Sequence, residues 1–484
     1  MPKQSLKILF ACSEAYPLIK TGGLADVAFG LTRALHELGQ DIKIILPAYK
    51  QILEDNDTKL VSEFSLGEHD VRLIELKMPH SGVTVWLVDI PELYYRNGGP
   101  YAASDGVDWP DNAERFSTFS KVVSEIALGN IDLNWQPNVI HCNDWQTGLV
   151  PAYLSLDENS PASIFTIHNL AYLGLFSHQK FKHLQLPEDW WAWNMMEFHN
   201  HFSFIKGGLV FADQISTVSP TYAEEIKTTE FGYGMEGLLN YRSHLLTGIL
   251  NGVDYEQWNP AVDPLIPKHF DSDNLSGKQN NKRELQQLFE LPQDDSAFLI
   301  GIVGRMVEQK GYDLLLQILD KVLERNIQIT MLGTGDLSIE SALFNCMDKH
   351  PNKFSVNIGY DEATAHLIEA GSDAFLMPSK FEPCGLNQFY SLKYGSVPIV
   401  SNIGGLSDSV TDKTGFKFES GNATDLLSAI ESAFQLFNQP EKWQNLMQNG
   451  MNQDYSWKKS AKTYISLYHK SIKSQYHIPS NFSV

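Results

Sequence analysis

The chain is poor in cysteine, has no excess of positive charge and contains no long apolar run. Each shortage removes a class of function. Its four cysteines, Cys12, Cys142, Cys346 and Cys384, lie far apart without CxxC spacing, so neither a disulfide framework nor a zinc site is expected. Lysine and arginine total 37 against 58 aspartates and glutamates, and the net charge of -21 argues against a nucleic-acid partner while leaving room for one concentrated basic site. No stretch is long enough to span a membrane, and the apolar run in "MPKQSLKILFACSEAYP" is too short for a signal sequence. Both points predict a cytoplasmic protein with no membrane partner. A GxGxxG fingerprint is absent, which excludes a dinucleotide-dependent dehydrogenase. No short-period repeat is present, and nothing in the sequence sets an oligomeric state.

What is present is an α/β pattern, written twice. "KILFACS" reads as a buried strand, "ADVAFGLTRALHELG" as a helix ending at Gly39, and "DIKIILPAY" as a second parallel strand. Further strands are expected at "VTVWLVDI", "PNVIHCND", "SIFTIHN" and "ADQISTVS". The pattern restarts at "AFLIGIVG", continues through the helix "YDLLLQILDKVLERN" to the strand "IQITMLGTG", and later gives "DAFLMPS", the helix "LNQFYSLKYG" and "VPIVSN". Between the halves, "HFDSDNLSGKQNNKRE" is expected to be a polar surface excursion or linker, and "LNGVDYEQWNP", which includes Asn251, a hinge. The chain of 484 residues thus reads as two doubly wound domains, each offering loops at the carboxyl ends of its strands.

Those loops carry the chemistry. In "KTGG", Gly22 and Gly23 let backbone N–H groups approach an anion at a helix start, and Lys20 adds a point charge; a plain turn with Asp26 as a helix cap is the simpler alternative. In "GRMVEQKG", Arg305 and Lys310 stand in one strand-end loop, suited to a diphosphate, or else form a solvated surface pair. In "PSKFEPCGLNQ", Cys384, Gly385 and Leu386 lead into a helix whose amides suit a phosphate, and Glu382 either caps that helix or accepts hydrogen bonds from ligand hydroxyls. "GGLSDSV" offers another glycine pair before a helix. "HCNDWQTG" and "TIHNLAY" carry His141, Asp144, Trp145, His168 and Asn169, a mixture suited to sugar hydroxyls with an aromatic ring to stack on a sugar face. "DND" (55 to 57), "DSD" (271 to 273) and "HNH" (199 to 201) imitate metal sites, but without strand context or a third ligand they are taken as solvated loops, so no metal is expected. "WWAWNMM" is able to line a groove, but an aromatic cluster of this kind is usually core.

Taken together, "CSEAYPLIKTGGLADV", "HCNDWQTGL", "TIHNLAYLG", "FIKGGLVFADQISTVSPTYAEEI", "LNGVDYEQWNP", "GRMVEQKG", "PSKFEPCGLNQ" and "DYSWKKSAKTYISLY" resemble the bacterial glycogen synthases, relatives of plant starch synthases, nearly end to end. The resemblance implies a GT-B architecture, two Rossmann-like domains facing a central cleft. The first would span residues 1–248, rejoined by a C-terminal helix in 456–484, and the second residues 249–455. It implies a retaining transfer of glucose from ADP-glucose to the non-reducing-end 4-hydroxyl of glycogen or a maltooligosaccharide, with no cofactor. By the same resemblance Arg305, Lys310 and the Gly23 N–H bind the diphosphate, and Lys20 and Gly22 belong to the nucleotide-sugar motif. Glu382, Cys384, Gly385 and Leu386 meet the transferred glucose, as do His168 and Asp144. Glu14 and Asp26 support the acceptor side, and Tyr94 and Asn251 are further substrate contacts. Two departures stand out: Ser401 and Ile403 replace an Arg-containing approach to the GGL loop, and Asn143 stands where a second His is frequent, with little effect expected. A UDP-glucose-using transferase of the same fold and a non-catalytic glucan-binding scaffold are the alternatives. The KTGGL motif argues against the first. The joint presence of Lys20, Arg305, Lys310 and Glu382 argues against the second.

Overall fold

Residues 7 to 11, "KILFA", form β1 (Lys7–Ala11), flanked by β2 (Asp41–Pro47) on one side and β6 (Val139–Asn143) on the other, both parallel to it. The computed structural model describes residues 5–473. Residues 1–4 and 474–484, parts of the expected first domain and its returning tail, lie outside the described residues. The chain forms two units. Unit 1 runs to Val218, takes in Ala223–Gly252 and resumes at Trp457; unit 2 comprises Ser219–Tyr222 and Val253–Ser456.

Unit 1 is built on a nine-stranded sheet of order β12-β11-β7-β6-β1-β2-β5-β4-β3. The strands not yet placed are β3 (Lys59–Leu66), β4 (His69–Lys77), β5 (Thr84–Asp89), β7 (Ala162–Ile167), β11 (Gln214–Thr217) and β12 (Leu246–Gly248). A separate small sheet joins β8 (Leu175–Ser177), β10 (His201–Ser203) and β9 (Glu197–Phe198). The central strands are buried on both faces, as a parallel sheet covered by helices requires. β3 and β4 are different. They form an antiparallel edge hairpin through a turn at Gly67 (φ 61°), with β3 largely exposed or half-buried. The sequence reading placed no strand there, because a solvated edge strand lacks the continuous Val/Ile run that marks its buried neighbours.

The helix Gly23–Glu37 follows β1, and the helix Trp457–Lys473 packs against it. The second helix buries Trp457, Ala461, Tyr464, Leu467 and Tyr468, one stripe at helical spacing. Gly30 is required at this crossing: a Cβ there would stand 1.9 Å from Trp457 Nε1. Tyr468 also reaches His141 Nδ1 at 2.8 Å.

Unit 2 holds a six-stranded parallel sheet of order β15-β14-β13-β16-β17-β18, made by β13 (Phe298–Val303), β14 (Ile327–Gly333), β15 (Phe354–Ile358), β16 (Ala374–Met377), β17 (Val397–Ser401) and β18 (Phe416–Phe418). Residues 219 to 222 count with it because the Thr221 N–H and hydroxyl both donate to the Asp408 carboxylate, at 2.8 and 2.7 Å.

One expectation is corrected. Much of "HFDSDNLSGKQNNKRE" is not a surface excursion: Ser276–Leu288 is a helix packed on the helix Glu362–Gly371. Its polar residues are its anchors. Lys278 Nζ donates to Ala370 O, Tyr394 O and Ser396 Oγ at 3.1, 3.0 and 2.9 Å, satisfying carbonyls at two helix ends. Four residues on, Lys282 Nζ binds Ala297 O and the Asp373 carboxylate. Burial lowers the Lys278 ammonium to about 7. Composition cannot distinguish such buried lysines from solvated ones.

Among the parallel strands of each sheet the order runs outward in both directions from one pair of neighbours, β1 and β6 in unit 1 and β13 and β16 in unit 2. The loops leaving the carboxyl ends of such a pair diverge and leave a crevice, which is where doubly wound sheets bind ligands.

Candidate functional site

In unit 1 the loop after β1 is held from below by a buried carboxylate. Glu14, 4% exposed, accepts the Thr21 N–H and the Gly22 N–H (3.1 Å) on Oε2, and the Tyr101 hydroxyl (2.6 Å) on Oε1. Burial pushes its carboxyl above the ordinary range, although the three hydrogen bonds oppose that rise. Glu14 is therefore a latch on the KTGG loop and not an exposed substrate contact. It also takes the Gly22 amide out of play for an anion and leaves that of Gly23. A Cβ added at Gly22 or Gly23 would meet nothing within 4 Å, so the loop's outer face is open. Lys20 Nζ binds Asp26 at 2.8 Å and lies 5.5 Å from the Tyr16 ring centroid. Asp26 makes this pair in the first helical turn; Gly22, the N-cap, has no side-chain cap bond.

The loop after β6 carries Asp144 in the left-handed region (φ 55°). Its Oδ1 accepts the N–H groups of His168 (2.7 Å) and Asn169 (3.4 Å), tying the loop after β7 to the loop after β6. Burial raises its carboxyl to about 7 against the pull of those amides. His168 Nε2 lies 2.9 Å from Asn143 Oδ1, and burial holds the imidazole down to about 3, hence neutral. Asn251 is buried with no partner for its Oδ1.

Three expectations for unit 1 are corrected. His141 is fully buried between Tyr468 and the Thr166 hydroxyl and is a core residue. The half-buried Trp145 ring packs against the core beside Phe116, Phe176 and Phe204, at centroid distances of 5.0, 5.8 and 5.7 Å, so it is not a free platform. Tyr94 is 1% exposed and donates to Arg115 O at 2.8 Å, whereas the adjacent Tyr95 is 47% exposed. The "WWAWNMM" stretch divides likewise, with Trp190 in the core and Trp193 exposed.

In unit 2 the loops after β13 and β16 are stitched together. The Lys380 N–H donates to Gln309 O (2.8 Å), Gln309 Nε2 to Phe381 O (3.0 Å) and Asn387 Nδ2 to Val303 O (2.8 Å). Gly311 (φ 70°) permits the approach, since a Cβ there would stand 1.9 Å from Pro378 O. The stitching sets Lys310 Nζ 2.5 Å from Glu382 Oε2, which also accepts from the Ser379 hydroxyl at 3.0 Å. Both bonds fall on Oε2. Arg305 is exposed in the same loop as Lys310, two residues beyond β13.

Glu382 is thus no helix cap. The helix Asn387–Lys393 has Leu386 as its N-cap, Cys384 is buried, and Gly385 follows it at φ 72°. The second glycine pair also has a different reason from the expected one. The Gly405 N–H donates to Pro383 O, and Cβ atoms at Gly404 and Gly405 would stand 2.0 Å from Glu382 O and 2.3 Å from Cys384 O. These glycines let one loop pack on the backbone of the other, so the Gly405 amide is not a phosphate donor.

Among the described residues no group of three or more His, Cys, Asp or Glu side chains could hold a metal, and no helix is long and apolar enough to cross a membrane. Sequence reasoning did not single out Tyr101, Ser379 or the exposed Tyr360, which lies two residues past β15, and it named Asn143 only as a departure of little effect. Only Tyr360 carried a local signal, an aromatic at a strand's carboxyl end; the others matter through contacts that no short motif reports.

The starch synthase catalytic domain model matches residues 7–241, and the glycosyl transferases group 1 model matches residues 284–451. A glycogen synthase of Cellvibrio japonicus is 50% identical over 473 residues, which are 95% of this chain and 98% of that protein. The chain belongs to the glycogen synthase family. Glycogen synthase 1 of Methylococcus capsulatus is 47% identical over 96% of this chain and 97% of its own length. Among solved structures, the catalytic domain of starch synthase IV from Arabidopsis thaliana, bound to ADP and acarbose, superposes with a TM-score of 0.86 at 32% identity, covering 97% of this chain and 100% of that one. A sucrose-phosphate synthase from Thermosynechococcus elongatus, 15% identical with a TM-score of 0.60, shares the fold alone. The chain is a glycosyltransferase with the GT-B fold, and glucosyl transfer in glycogen synthesis is the reaction of its family.

Proposed function

We propose that the chain transfers glucose from ADP-glucose to the non-reducing-end 4-hydroxyl of an α-1,4-glucan in the cytoplasm, retaining the α configuration. The observation that carries this reading is the cluster of Arg305, Lys310 and Glu382 on the carboxyl edge of the unit 2 sheet. Two cations there suit a diphosphate: Arg305 grips oxygens in a planar fork and Lys310 supplies a point charge. Glu382 holds Lys310 in place and turns Oε1 to sugar hydroxyls. Tyr360, exposed on the same edge, is suited to stack on a base. In unit 1 the Gly23 N–H, Lys20, Asp144, His168 and Asn251 serve the sugar, its phosphates and the acceptor. The relative solved with ADP supports adenine as the base.

Retention by double displacement would call for a carboxylate nucleophile. Glu382 is engaged by Lys310 through Oε2, Glu14 is a buried latch, and Asp144 is held by the His168 and Asn169 amides. The reading is therefore a front-face substitution. The bond from the anomeric carbon to the diphosphate oxygen breaks, the acceptor oxygen bonds to the same carbon on the same face, and the acceptor's proton passes to the departing phosphate. ADP leaves with the electron pair. Catalysis comes from position and fixed positive charge at the leaving group, and no metal or cofactor enters the scheme.

Initial-rate glucose incorporation into glycogen, from ADP-glucose and UDP-glucose in parallel with EDTA, tests it. A strong ADP-glucose preference that survives EDTA is expected. A UDP-glucose preference overturns the donor, and glycogen binding without transfer from either donor overturns the reaction.

A further inference from the structure

Asn143 ends β6 and is fully buried, one residue before Asp144. Its side-chain amide has two unlike ends and unlike partners for each. Nδ2 donates to Ala11 O on β1 at 3.0 Å and to His141 O on its own strand at 3.2 Å. Oδ1 faces His168 Nε2 at 2.9 Å. Turning the amide over would set its oxygen against two carbonyl oxygens, so the orientation is decided by the backbone. An oxygen at that position can only accept, and His168 Nε2 must therefore carry the proton.

We infer that Asn143 is a positioning residue that fixes His168 as the neutral Nε2–H tautomer, making Nδ1 a hydrogen-bond acceptor for a substrate hydroxyl. His168 then is neither a cation nor a proton donor at Nδ1. A histidine at position 143 offers no such fixed acceptor, because its own ring can take either role; asparagine removes that ambiguity. The expectation that Asn143 has little effect is thereby revised. Contact between His168 and substrate rests on the proposed transfer reaction, whereas the tautomer does not.

The titratable groups around this ring come from three elements. Asp144, after β6, holds the His168 N–H; His141, on β6, feels the ring's charge; and Glu14, after β1, acts on Asp144. The ring's own hydrogen bond is to the uncharged Asn143 amide, and burial keeps it uncharged. With Oδ1 replaced by a carboxylate in Asn143→Asp, the imidazolium gains a buried counter-charge and Nδ1 gains a proton at a far higher pH.

The test is histidine-selective 15N NMR on the full-length, ligand-free enzyme, with the His168 signals assigned by their loss in His168→Gln. A protonated Nε2 and a bare Nδ1, unchanged down to about pH 5, are expected. A protonated Nδ1, or an imidazolium within that range, overturns the inference whatever the activity. In folded Asn143→Asp, kcat with saturating donor should fall at least about tenfold further between pH 8 and pH 6 than it does in the parent, whose own Asp144 titrates in that range. A folded variant whose pH profile matches the parent's overturns the acceptor role. If the variant does not fold, the NMR result on the parent decides alone. A parent showing the expected tautomer but no glucosyl transfer leaves the tautomer standing and removes the proposed reaction.

Discussion

The two units place a glutamate behind each strand-end loop and use it in opposite ways. Glu14 of unit 1 is buried among uncharged donors, two backbone amides and a tyrosine hydroxyl, and burial raises its carboxyl. Glu382 of unit 2 is also buried, but it faces Lys310 and a serine hydroxyl, with Arg305 exposed in the Lys310 loop. His168 follows the unit 1 pattern, neutral and hydrogen-bonded to an amide. Unit 1 thus offers a site of fixed, largely uncharged hydrogen bonds suited to hydroxyls, while unit 2 concentrates positive charge in a chain that is strongly acidic as a whole. One sheet topology gives both, and the difference lies in what each buried carboxylate is paired with.

The largest effect should follow from removing charge in unit 2. Arg305→Ala should cut turnover by at least a hundredfold, about 3 kcal/mol of transition-state stabilisation, with the melting temperature unchanged because the side chain is exposed. Near-normal turnover in a folded variant would break the contrast between the units.

A middle-sized effect distinguishes a latch from a charge. Glu14→Ala strands two loop amides and should cost about 2 kcal/mol of stability and about tenfold in activity. Glu14→Gln keeps an acceptor for both amides, and Tyr101 can turn its hydroxyl toward Ser13 Oγ at 2.7 Å. It should therefore stay within about threefold of the parent. If Gln proves as damaging as Ala in paired melting and rate measurements, Glu14 acts through its charge and the contrast fails.

The smallest effect concerns Asp144. Its folded carboxyl holds a proton up to about 7, against an ordinary value of 3.8, so the folded chain binds more protons than the unfolded one between those values. Its contribution to stability is complete below pH 3.8 and disappears as pH rises through 7. Asp144→Asn keeps an acceptor for the His168 amide without the buried charge. It should raise Tm by a few degrees at about pH 8 and leave it unchanged near pH 4. A lower Tm at pH 8 would show that the carboxylate is stabilising there and that unit 1 tolerates charge better than proposed.

Much of this was legible before the structure. The parallel strands announced themselves as short Val/Ile runs, and KTGG, GRMVEQKG and FEPCGL each sit at the carboxyl end of one, because doubly wound sheets put function there. The same local logic failed where the partner was distant. Tyr94 and Tyr95 are indistinguishable in sequence, yet one is core and the other exposed. His141 and His168 both follow the pattern of a strand-end histidine, and only packing against Tyr468 makes the first structural. The buried lysines 278 and 282 read as solvent-loving until the carbonyls they satisfy are seen.

The sequence by itself determined the two α/β halves, the loops that carry chemistry and the family, since these follow from local hydrophobic pattern and contiguous motifs. Tertiary structure decided which motif residues are latches and which face a ligand. It turned the glycines of GGLSDSV into packing residues and gave Asn143 its hold on His168. The physical reason is that a polar side chain takes its role from the donors and acceptors it meets once water is excluded, and those partners come from β1, β6, β7 and residues far apart along the chain.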